Sequence, residues 1–191
     1  MTLRIEKPAF NLREKLSELD YQKVPYEKMP AGSIIQTAHF QTGNSFTFSN
    51  ASYTSAYKMK FTPRFASSKL RIHITSFTYL VNASSQQAAQ DFQIERTFGA
   101  TNENTGNSTI VRREQWKNYW NRNSFPNDHY PDFVSDFYDF PYTTEQIVYD
   151  FQGRKYYGGS SNYAWRIGYQ TVSGGQEAGP SFVWTIQEIR G

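Results

Sequence analysis

Apolar and polar positions fall into two regimes along this 191-residue chain. Near the start, Leu12, Leu16 and Leu19 recur at helical spacing, which predicts a short helix over residues 12–20. Asn11 and Glu14 make a capping box, and Pro8 stands upstream as a start signal. A helix of roughly ten residues is marginal alone in water, so its leucine stripe needs burial against its own β domain or another chain. Pro8, Pro25 and Pro30 mark the flanks as extended, semi-rigid linker. Residues 1–31 are therefore expected to form a docking arm that reaches beyond its own subunit.

From Gly32 the period changes to two. Leu70, Ile72 and Ile74 alternate with Arg71 and His73, and Phe182, Trp184 and Ile186 alternate with Val183, Thr185 and Gln187. Such alternation means one face buried and one wet. Strands are expected near residues 33–40, 52–62, 70–80, 92–98, 146–151, 163–169 and 181–189. Gly158, Gly159, Gly174, Gly175 and the Gly179-Pro180 pair punctuate the later ones. Roughly eight strands at this spacing predict an all-β fold over residues 32–191, a two-sheet antiparallel sandwich of jelly-roll type. Residues 115–142, rich in aromatics, Asn and Asp without a clean period, read as a long inserted loop, a kind usually reserved for function or interface.

Composition sharpens this picture. Mean hydropathy is −0.71, yet 14 Tyr, 15 Phe and 4 Trp put 17% of the chain in aromatic rings. Rings suit half-buried strands, and Tyr-rich surfaces suit both subunit interfaces and sugar faces. The absence of Cys excludes disulfides, thiolate metal sites and a cysteine nucleophile. The sequence has no apolar run long enough for a signal peptide or for the roughly eighteen residues of a membrane span, so cytoplasmic synthesis and no membrane insertion are expected. For the same reason the triplets at Asn50, Asn82 and Asn107 are expected to be unglycosylated. A net charge of +3 does not imply a nucleic-acid partner.

Little in the sequence points to catalysis. His39, His73 and His129 belong to no metal-binding or hydrolase motif, and the first two fall within expected strands. Asp128, Asp132, Asp136 and Asp139 lack the alternate-position oxygens and central Gly of a calcium loop, so solvated carboxylates or salt bridges are expected, with no metal and no cofactor. Arg112, Arg113, Lys117 and Arg122 interleave with Trp116, Tyr119 and Trp120. Cations beside stackable rings serve protein interfaces, glycan faces or single-stranded nucleic acid, in that order of expectation here. Trp116, Tyr119, Trp120 and Arg122 are thus the candidate interface or glycan contacts.

The GSIIQ opening, the FTPRFASSKLRIHITSF stretch, the DFYDFPYTTEQIVYDFQGRKY stretch and the closing SFVWTIQEI together resemble a domain of tail-fibre and virion structural proteins of tailed, marine-type bacteriophages. Pro63, Ser67, Ser68 and Lys69 carry the corner of that pattern, and Glu188 and Ile189 its ending. The N-terminal KPAFNLREKLSELDY resembles lead-in segments of such proteins. The resemblance implies a non-enzymatic, trimeric jelly roll in the virion, assembled in the host bacterial cytoplasm and docked on other tail, baseplate or capsid proteins. A tail-fibre or baseplate component is the leading expectation. The alternatives are a capsid decoration protein and an adhesin for host surface glycans.

Overall fold

The structure, a computed structural model, describes residues 25–81, 87–99, 108–119, 132–157, 164–168, 171–172, 176–177 and 182–191. Among the described residues a single 3-10 turn, Tyr26–Lys28, precedes twelve strands: β1 (Ile34–Thr42), β2 (Phe46–Phe48), β3 (Thr54–Phe61), β4 (Lys69–Val81), β5 (Gln87–Phe98), β6 (Thr109–Tyr119), β7 (Asp132–Asp139), β8 (Ile147–Tyr157), β9 (Ala164–Ile167), β10 (Thr171–Val172), β11 (Gln176–Glu177) and β12 (Phe182–Ile189). The helix expected over residues 12–20, with Leu12, Leu16 and Leu19, lies outside the described residues.

Two antiparallel sheets face each other. One runs β1-β12-β4, with β7 beside the first part of β4, and β9 and then β2 beside its last part. The other runs β3-β8-β5-β6. Counting the eight principal strands along the chain (β1, β3, β4, β5, β6, β7, β8, β12), one sheet pairs first, eighth, third and sixth, and the other second, seventh, fourth and fifth. That pairing is the jelly-roll order, two Greek keys folded onto each other.

The alternating strands supply the core. Leu70, Ile72 and Ile74 of β4 and Phe182, Trp184 and Ile186 of β12 are wholly buried. Phe151 of β8 is the hub between sheets: its ring lies 5.5 Å from Phe92, 5.8 Å from Phe133, 5.5 Å from Phe182 and 6.4 Å from Trp184. Offset and edge-on ring pairs like these add about 0.5–1.5 kcal/mol each to their area burial. Among the described residues, the buried aromatic side chains are thus part of a core of interlocked rings.

The structure corrects the long loop expected over residues 115–142. β6 extends through Trp116 to Tyr119, paired with β5 as far as Gln87. β7 then pairs with β4 from Leu70↔Asp139 to Phe77↔Asp132. Residues 120–131 between these two strands lie outside the described residues.

Candidate functional site

At one end of the sandwich, here the base, β1 begins and β12 finishes, with Ile34 opposite Ile189 and Ile189 opposite Lys69. β4, β6 and β8 begin there, and β3, β5 and β7 end there. The chain enters the domain at this base. Arg190 donates hydrogen bonds to the carbonyls of Tyr26, at 2.8 Å, and Met29. The Arg64 guanidinium covers the Tyr26 ring at 4.4 Å. The backbone of Arg190 also pairs with Gly32 and Ser33. The start of the arm is therefore fixed in place by the last strand and by the corner between β3 and β4.

That corner is held in turn by Glu188. Its side chain is wholly buried, and its carboxylate accepts hydrogen bonds from the backbone N–H groups of Arg64 and Phe65 and from Gln36 Nε2. A buried carboxylate is tolerated only where donors replace its water, and here two main-chain amides and a side-chain amide do so.

β7 brings two of the expected acidic residues to opposite faces. Asp139 points inward, where Arg96 Nη1 donates to it at 2.6 Å and the Tyr149 hydroxyl at 2.6 Å. Burial, with Asp139 adding to it, pushes the Tyr149 hydroxyl far above its ordinary range. Asp136 points outward and takes a two-pronged ion pair from Arg71 at 3.0 and 2.5 Å. That hydrogen bonding holds the Asp136 carboxyl below its ordinary range. In register across the outer face stand His39, Thr185, His73 and Asp136. His39 Nδ1 lies 3.2 Å from Thr185 Oγ1, and His73 Nδ1 lies 3.7 Å from Asp136 Oδ2. Asp128 and His129 lie outside the described residues, and among the described residues no group of three His, Asp or Glu side chains is placed to share a metal.

Sequence reasoning missed a polar network on the outer face of the second sheet. Glu95 and Asp150 are direct cross-strand partners, and Gln152 Nε2 donates to both, at 2.5 and 2.9 Å. Ser55 donates to Asp150 at 2.6 Å. Burial raises the Asp150 carboxyl above its ordinary range, and the facing Glu95 adds to that. Beside them Arg154 pairs with buried Asp91 at 2.8 and 2.7 Å and lies over the Tyr53 ring at 4.4 Å. Burial and then Asp91 push the Tyr53 hydroxyl up to about 12. The signal for this face was available in outline: the polar outward positions 91, 93 and 95 alternate with Phe92 and Ile94. Which strand would face them was not.

Of the other candidates, the structure describes the backbone of two. Trp116 and Tyr119 lie on the last turns of the β6 ladder, opposite Gln90 and Gln87, at the end away from the base. Trp120 and Arg122 lie outside the described residues, as do the leucines of the arm. No helix among the described residues is long and apolar enough to cross a membrane.

No protein-family model matches the sequence, and the search of curated proteins finds no significant match. Solved structures of infectious bursal disease virus are similar in part. The VP2 subviral particle of that virus aligns with 83% of this chain and 38% of its own, at 12% identity and a TM-score of 0.34. The structure of its Gt strain aligns with 81% of this chain and 37% of its own, at 9% identity and a TM-score of 0.38. The chain thus spans under two fifths of the length of those chains, and at this level of superposition nothing about function passes from them to it.

Proposed function

We propose that this chain is a non-enzymatic building block of a virus particle of the tailed-phage kind. In this reading it is a tail-fibre or baseplate-associated component that assembles as a homotrimer and docks through its N-terminal arm. The observation that carries the reading is the division of labour between the two ends. The arm leaves from a base where Arg190, Arg64 and Glu188 fix its direction, while the strand bearing Trp116 and Tyr119 ends at the opposite pole. A block whose arm is fixed at one end and which carries aromatic residues at the other suits a part mounted on a larger particle. The jelly-roll order agrees, since virus-shell and lectin domains use it, although fold alone never decides function.

The titratable side chains that the fold gathers support an architectural role. Asp139, Glu188, Asp91, Asp136 and Asp150 are each bonded to a donor on another strand or corner of the same domain. These bonds tie strands and corners together.

Labelling the protein with gold-tagged antibody on purified particles tests the reading. Label on the tail is expected. Label spread over the head shell moves the assignment to a decoration protein, and particles free of label overturn it. The position of Trp116 and Tyr119 at the pole opposite the base favours a second role in contacting host surface glycan. A glycan array checks it: binding abolished by Trp120→Ala supports adhesion, and no binding by the intact chain removes it.

A further inference from the structure

Among the described residues, the exposed large apolar side chains are Ile34, Ile110, Val134, Tyr138, Phe140 and Tyr142. All but Val134 stand at the base. Three of them follow one another at alternate positions across the end of β7. Phe137, Asp139 and Pro141 point inward, and Tyr138, Phe140 and Tyr142 point outward at 52%, 49% and 76% exposure. Phe140 and Tyr142 stack with ring centroids 6.4 Å apart and planes 26° from parallel. The Lys69 ammonium lies 5.2 Å from the Tyr138 ring.

Tyr142 also has a left-handed backbone, with φ 54°, and is the one non-glycine residue with positive φ among the described residues. A bulky residue is uncommon there and holds the conformation at an energetic cost. Three exposed rings at alternate positions, two of them stacked and one on a left-handed backbone, present a surface that water does not favour and that a partner surface would cover.

We propose that residues 10–19 of the same chain lie across the row Tyr138–Phe140–Tyr142 and cover it in the isolated subunit. The segment has the chemistry: Phe10, Leu12, Leu16 and Leu19 need an apolar partner, and Glu18 suits the Lys69 ammonium beside the rings. It has the reach. The described chain begins at Pro25, whose carbonyl accepts from Lys28 and whose neighbour Tyr26 is held by Arg190 and Arg64.

From β1 to β7 is three strand spacings, about 14 Å. The six residues from Leu19 to Pro25 span up to about 20 Å when extended. It also has the length: a helical Leu12–Leu19 stripe is about 10 Å long, and the row from Tyr138 to Tyr142 is about 13 Å. The arm is thereby parked on its own base until a neighbour competes for it, which guards a free subunit against premature association. This goes beyond the building-block reading and does not rest on it.

The chain contains no cysteine, so a designed pair is its only pair of thiols. Full-length protein carrying Leu16→Cys with Tyr142→Cys is oxidised gently at low concentration, as an equal mixture of isotopically light and heavy copies. Linked peptides carrying one label only are expected, formed about tenfold faster than in a control pairing Leu16→Cys with Gln41→Cys on the outer face of β1. Leu12→Cys and Leu19→Cys, each with Tyr142→Cys, serve against an offset in register. Linkages of mixed label, showing a neighbour's arm on the row, overturn the proposal. So do rates no better than the control for all three pairs. A monomer in solution would defeat the trimer reading and leave this result untouched.

Discussion

Glu188 and Arg64, 124 residues apart in sequence, meet through the main chain: the buried carboxylate accepts the Arg64 N–H at 2.9 Å on one oxygen and 3.0 Å on the other. Phe65 N–H at 3.1 Å and Gln36 Nε2 at 2.7 Å complete its shell. Glu188→Ala takes the acceptor from the part-buried Arg64 and Phe65 N–H groups, while Gln36 Nε2 keeps the Thr62 carbonyl at 2.7 Å, and costs about 2 kcal/mol. Glu188→Gln keeps one accepting oxygen and falls between that variant and the parent. Urea unfolding checks both, as a lower midpoint at unchanged slope.

Gly153 of β8 lies beneath the Phe48–Trp165 ring pair, whose centroids are 4.2 Å apart. A Cβ at this position would come within 2.7 Å of both rings. Both rings are buried, so neither can swing aside without opening the core. Gly153→Ala is expected to lose about 1–3 kcal/mol by overpacking, read as a lower thermal midpoint. Trimming Phe48 to Leu in the same chain should recover part of the loss.

Two carboxylates give stability opposite dependence on pH. Burial raises Asp150 in the folded state. Between its ordinary and raised values the native protein keeps a proton that the unfolded chain has released, so stability falls as pH rises through that window. The hydrogen bonds from Arg71 lower Asp136. Its contribution is present above the ordinary carboxylate range and is lost as pH falls through the lowered value. Asp150→Asn should therefore flatten the decline on the neutral side, and Asp136→Asn the smaller decline on the acid side. Unfolding free energies measured from about pH 2 to 7 separate the two; parallel curves for parent and variants would contradict both assignments.

Much of the fold was legible because burial followed hydropathy: β4 and β12 alternate cleanly, and their inward residues are apolar throughout. β7 hid because its alternation is broken: Phe133 and Phe137 face inward, but polar residues share that face with them. Ser135 and Asp139 face inward, held by Ser135 donating to Glu114 and by the Arg96 and Tyr149 bonds to Asp139. Val134 and Tyr138 face water instead. β6 hid for another reason: it is an edge strand whose described residues Arg112, Arg113 and Glu114 carry little apolar pattern. Of the candidate site, the closing Glu188 and Ile189 and the Pro63 corner were visible as sequence features, but their union was not. The partners of the carboxylate are mainly backbone N–H groups, which leave no trace in residue identity.

The claim that this domain works by associating with copies of itself is tested most directly by light scattering of the purified full-length chain at micromolar concentration. A species of three times the 22.2 kDa chain mass is expected. A single species at 22.2 kDa that persists as the concentration is raised would contradict it.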